Sequence, residues 1–251
     1  MKPISRVVSA SSSATSATLL RQRKDILRHF ELGLIQNLRP PYLENLAFSN
    51  REGRIPIIME MDRSLLDEAL ETLGETLEAR GLAYEVAAIG GSSLMLLGLI
   101  ARPTKDLDAV ALVENGELVP AEPFPPPLAE AIADVGRALG LGEQWLNPGP
   151  ADLLRFGLPH GFEARLETRR YARLTLRIAG RTDQIFFKLY AAVDQGMTSK
   201  HAADLRALDP TDEELLAGAR WSQAHDPSEG YRQELVKVLT AFGVEDADAL
   251  I

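Results

Sequence analysis

The spacing of apolar residues divides most of the chain into helices and strands. Leu65, Leu66, Leu70, Leu73 and Leu77 recur at three- and four-residue intervals. That spacing predicts a helix over 62–80, capped by Asp62 or Ser64 and ended by Gly81. A strand over 84–89 and a short buried helix over 92–100 follow, then a second strand over 107–113. Asn115-Gly116 turns the chain, residues 120–127 form a proline-rich extended loop, and 128–139 read as a helix. The stretch 143–160 is irregular, with several Pro and Gly. From 162 to 178 one parity is mostly apolar and the other carries Glu163, Arg165, Glu167, Arg169, Arg173 and Arg177. This predicts a hairpin turning near Arg169-Arg170. Helices over 183–195, 202–208, 211–222 and 229–242 complete the chain.

The order of elements is that of an α/β (α+β) unit followed by a helical portion. Residues 1–58 read as a loosely ordered or disordered N-terminal extension, 59–195 as the core, and 196–251 as helices packed on that core. Residues 1–24 hold no acid and are rich in Ser, Ala and Thr, which also fits a transit peptide. The overall charge of −9 is uneven. Residues 1–54 carry nine Lys/Arg and four Asp/Glu, a net of +5, so the rest carries −14. An acidic body is not a general nucleic-acid binder, and an RNA partner would need a local basic patch. Cysteine is absent, which excludes disulfides and thiolate metal sites. No apolar run approaches membrane-spanning length, so a cytoplasmic location with no membrane partner is expected.

Two motifs carry chemistry. Gly90-Gly91-Ser92-Ser93 sits between a strand and a helix, where backbone N–H groups and a serine hydroxyl can receive phosphate. Its plainer reading is a turn with a serine cap. Asp106 and Asp108 head the second strand and, two residues apart, point the same way. Paired carboxylates beside a buried strand need a cation, and hard oxygen ligands suit Mg²⁺. Salt bridges to Arg102 and Lys105 are the structural alternative.

Together, IGGSSLMLLGL…RPTKDLDAV resembles the core motif of the nucleotidyltransferase superfamily, the polymerase-beta-like fold. The form is closest to minimal bacterial members related to AbiEii-type toxins of toxin–antitoxin pairs. The resemblance implies a nucleotidyltransferase-fold mixed sheet with a helical C-terminal portion. It also implies Mg²⁺-dependent transfer of a nucleotidyl group from a nucleoside triphosphate such as ATP to tRNA or protein. Gly90, Gly91, Ser92, Ser93 and Lys105 would bind the phosphates, and Asp106 and Asp108 would hold the metal. Two ions require a third carboxylate, for which Glu163 and Glu167 are candidates, Glu167 preferred. Their plain reading is cross-strand pairing with arginines. Lys188 would contact phosphate, with a snorkelling surface lysine as its alternative. Asp204 would orient Lys188 or Lys200, or act as a base. The arginines at 165, 169, 173, 177 and 181 are either a solvated face or a phosphate track. Competing functions are a silent nucleotide-binding protein and an antitoxin-like or assembly partner docked by its basic tail.

Overall fold

The computed structural model describes residues 60–251; the extension expected over 1–58 lies outside the described residues. Helix α1 (Arg63–Ala79) is capped by the Asp62 side chain, which accepts from the Leu65 N–H at 2.9 Å. Its leucine stripe enters the core, as the spacing predicts. Strand β1 (Tyr84–Ile89) runs into α2 (Gly90–Leu96), and β2 (Leu107–Glu114) turns at Asn115-Gly116 into β3 (Glu117–Val119). Helix α3 (Pro126–Ala138) follows. The stretch expected to be irregular holds two short elements, β4 (Leu146–Asn147) and α4 (Asp152–Phe156). The remaining elements are β5 (Glu167–Tyr171), β6 (Leu174–Ile178), α5 (Arg181–Gln195), α6 (Lys200–Ala207), α7 (Asp212–His225), α8 (Glu229–Ala241) and α9 (Ala247–Leu250).

The sheet is mixed and ordered β3-β2-β1-β6-β5, with β4 alongside β2. Strand β1 runs antiparallel to β2 and parallel to β6. Two apolar layers cover it. One is built from α1, α3 and residues such as Val86, Ala88, Leu107, Ala109 and Leu176. The other contains Ala87, Ile89, Val110 and Ala111 with residues of α5, α6, α7 and α8. The helical portion therefore closes the sheet's second face. Helix α1 comes so close to the hairpin that a Cβ at Gly74 would lie 1.9 Å from the Tyr171 carbonyl oxygen.

A bulge interrupts the β1–β2 pairing. Ala88 opposes Ala109 while Ala87 opposes Ala111, leaving Val110 as the extra residue. Leu107 and Ala109 consequently face the α1/α3 layer, and Ala111 faces the α5–α8 layer. Asp108, opposite Ile89, faces the α5–α8 side.

The predicted hairpin exists, but its turn is displaced. Tyr171 pairs with Leu174, so the chain reverses at Ala172-Arg173, where Ala172 has φ +47°. Tyr171 is buried on the parity expected to be charged, because the turn resets which residues face inward. Residues 163–165 form a 3-10 turn rather than strand.

Candidate functional site at the head of β2

The site gathers where β1 enters α2 and the loop 101–106 enters β2. That loop is fixed by Met61, whose N–H donates to the Thr104 carbonyl at 2.6 Å while the Thr104 N–H returns to the Met61 carbonyl at 3.0 Å. Thr104 Oγ1 donates to the Asp106 carbonyl at 2.9 Å, and the Ser92 hydroxyl bonds both Thr104 Oγ1 and that carbonyl. Ser93 donates to the Ile89 carbonyl at 2.9 Å. Both serines are thus buried fasteners, and neither caps the helix, which begins at Gly90 with Ile89 as its cap residue. The Gly90 N–H donates to Gln184 Oε1 of α5 at 3.1 Å, so this expected phosphate donor has an internal partner.

Gly90 has φ +87°, and a Cβ there would lie 2.5 Å from Asp108 Oδ2. Glycine is required on both counts. Asp108 is half-buried. Burial and the neighbouring Asp106 charge push it up to about 7, against the pull of Lys188, Lys200 and the Asn147 amide. Burial also raises Asp106, opposed by Lys200, Lys105, Arg102 and Lys188. Among the described residues neither carboxylate makes an ion pair within 4 Å, so the salt bridges to Arg102 and Lys105 do not form.

Arg102 instead reaches across to α6. Its Nε and Nη2 donate to Asp204 Oδ1 and Oδ2 at 2.7 and 2.6 Å. Lys188 Nζ, on α5, donates to the same Oδ2 at 2.7 Å. The Lys188 side chain is only 4% exposed, so it is not a snorkelling surface lysine. Burial lowers the Lys188 pKa, with Asp204 opposing. Burial alone would raise Asp204, but Arg102 and Lys188 outweigh it and hold the carboxyl below its ordinary value. A carboxylate so held is a poor base; of the roles weighed for Asp204, orienting Lys188 is the one its contacts fit. Beside it, burial and the Lys188 charge push His201 down to about 3, so its imidazole is neutral at neutral pH. The Arg102 guanidinium also covers the turn: a Cβ at Gly91 would lie 3.0 Å from Nη2.

Asp106, Asp108, Gly90, Gly91, Lys188 and Asp204 are therefore brought together, with exposed Lys105 and Lys200 acting on the pair through space. Glu167 is not. It opposes Ile178, which opposes Ala88, which opposes Ala109. It is thus three strands from β2, about 14 Å at the usual spacing, and on the face opposite Asp108. Glu163 lies exposed in the 3-10 turn. Neither supplies a third ligand, and no group of three or more acidic, histidine or cysteine side chains suited to a metal occurs among the described residues.

The arginine row is committed elsewhere. Arg165 grips Asp183, Arg169 donates to the Leu96 carbonyl, and Arg173, Arg177 and Arg181 pair with Glu78, Glu85 and Glu214. Sequence reasoning missed Asn147 and Gln184 altogether. A Trp-Leu-Asn-Pro run inside a loop was the faint signal for Asn147; Gln184 offered none.

Among the described residues no helix is long and apolar enough to cross a membrane. Compared with protein-family models, with curated proteins and with solved structures, the chain matches none.

Proposed function

We propose that this chain is a nucleotidyltransferase that moves a nucleotidyl group from a nucleoside triphosphate to a tRNA or protein acceptor, on a nucleotidyltransferase-type sheet. One observation carries the reading. The Gly-Gly turn and the acidic pair, separate in sequence, share one spot, because Asp108 Oδ2 occupies the space a Gly90 side chain would need.

The donor set suits a hard divalent cation. Two half-buried, mutually repelling carboxylates with no ion pair among the described residues are relieved by a dication, and Asp106 and Asp108 would hold it. Bound Mg²⁺ supplies Lewis acidity at the phosphates and acidifies the attacking hydroxyl. Lys188 and Arg102 provide fixed positive charge beside the turn, where charge develops as the acceptor oxygen attacks the α-phosphorus and pyrophosphate leaves. Asp204 holds both cations in place. Charge fixed in advance in a partly closed site acts more strongly than charge that must reorient.

The silent binding reading has its own support. The Gly90 N–H and both serine hydroxyls are already bonded within the protein. The toxin-like role rests on the resemblance, and the antitoxin-like or assembly reading, in which the basic tail docks a partner, falls on residues outside those described.

The test is label transfer from each triphosphate, with Mg²⁺, into a total RNA and protein extract. Asp106→Asn combined with Asp108→Asn should reduce transfer by about 10²–10³-fold or more. Transfer that survives the double substitution rejects the proposed role of the pair. Metal-independent nucleotide binding without transfer supports the silent reading instead.

A further inference from the structure

Asp108 has a neighbour on each edge of β2: Ile89 of β1 and Asn147 of β4. Directly opposed residues on paired strands share a face, so the Asn147 carboxamide lies on the same side as the Asp108 carboxylate. Asn147 is 5% exposed. Its Oδ1 accepts the Gly149 N–H at 2.8 Å, which turns the amide oxygen toward the loop after β4. Nδ2 is left on the Asp108 side. It is buried and has no hydrogen-bond partner among the described residues.

We propose that Asn147 restricts the acidic pair to a single divalent cation. The proposal rests on the nucleotidyl-transfer reading and specifies how its metal site is built. Divalent cations of this class bind oxygen lone pairs. The β4 side of Asp108 presents amide hydrogens, which repel a cation and hold the near carboxylate oxygen by attraction. The remaining oxygen and Asp106 form one seat, with further ligands left to water and phosphate. Charge acts in the same direction. One dication balances the two charges of Asp106 and Asp108. Lys188, Lys200, Arg102 and Lys105 surround the pair, with Asp204 the one further acid among them, and this leftover positive charge opposes a second ion. An aspartate at 147 would change both conditions at once, placing a third carboxylate against the pair.

The experiment counts Mn²⁺ ions held by the full chain without nucleotide, using the free-ion paramagnetic resonance signal. Wild type should retain one ion per chain. Asn147→Asp should retain two, or hold the first at least tenfold more tightly. A wild-type count of two overturns the proposal. So does an Asn147→Asp chain that takes one ion with unchanged affinity. Either result leaves the pair standing as a cation site, provided retention is lost in Asp106→Asn with Asp108→Asn. If retention survives that double substitution, or wild type holds no ion, the transfer reading falls and this proposal with it. Should Asn147→Asp fail to fold, the wild-type count decides alone.

Discussion

Two aspartates, Asp183 and Asp204, are buried and each is gripped by an arginine fork. Their surroundings differ in a way that separates structure from function. Asp183 meets one ion-pair partner among the described residues, Arg165, through bonds of 3.0 and 2.6 Å, and the pair ties the N-terminus of α5 to the 3-10 turn. One acid and one base balance, and Arg165 retains 35% of its side-chain exposure. Asp204 meets both Arg102 and Lys188, and the Lys188 side chain is almost wholly buried. Close by, Asp106 and Asp108 have no ion pair among the described residues. Charge around Asp183 is settled within the fold, whereas charge at the head of β2 is distributed so that cations cluster on one acid and two acids stand apart. Such separation is costly unless something with both signs, such as a metal-bound phosphate, completes it.

The comparison is broken most sharply by removing each acid. Asp204→Ala strands a buried lysine and should cost about 3–5 kcal/mol in urea unfolding. Asp183→Ala lets Arg165 turn to solvent and should cost about 1–3 kcal/mol. Equal losses would end the distinction. Combining Asp204→Ala with Lys188→Met should recover a large part of the first loss, because the uncompensated charge leaves with its partner.

The pH dependence of stability sharpens the contrast within the site. An unfolded histidine takes up its proton near 6.5, whereas folded His201 resists until about 3. The unfolded chain binds more protons across that window, so His201 causes stability to fall as pH drops from 6.5 toward 3. Asp108 has the opposite sign. The folded chain keeps its proton up to about 7 and the unfolded chain releases it near 3.8, so stability falls as pH rises between them. The acid-side decline in stability should therefore become shallower in His201→Gln. Asp108→Asn should be more stable than wild type at pH 7 by roughly 1–2 kcal/mol, with the gain vanishing near pH 4, as unfolding curves taken at each pH would check.

Smallest is the effect expected on the arginine row. Arg173 and Glu78 are 59% and 62% exposed, so Arg173→Gln should change unfolding stability by no more than about 0.5 kcal/mol. Label transfer in that variant should match wild type, because the row faces its own carboxylates rather than the site.

Much of the scaffold was readable because its signals are local. The α1 leucines, the Asp62 cap and β1 follow from spacing and side-chain chemistry alone, and so does the start of α7 near Thr211, where the structure adds a capping box with Glu214. The hairpin was readable in kind but not in register, since a tight turn at Ala172-Arg173 leaves no Gly, Pro or Asn to mark it. At the site, the residue types of Asp106, Asp108 and Gly90 announced themselves. Their partners did not: Gln184 lies 94 positions from Gly90, and Arg102 lies 102 from Asp204. Glu167 shows the converse. Alternation gave it a charged face, but only the strand order reveals that this is the wrong side of the sheet.

The bulge at Val110 makes strand length, not merely strand composition, part of the chemistry. Because one extra residue separates Asp108 from the portion of β2 locked against β1 at Leu112, the carboxylates and the hydrophobic anchor are written in different phases. Paired without the bulge, the same residues would give Asp108 the parity of Leu112. That would turn Asp106 and Asp108 into the layer beneath the sheet, among the leucines of α1. Deleting Val110 instead keeps Asp108 opposite Ile89 and the pair on its present face. Two chains identical in motif can therefore differ in whether they have a site at all, and the register of β2 is as diagnostic as the aspartates themselves.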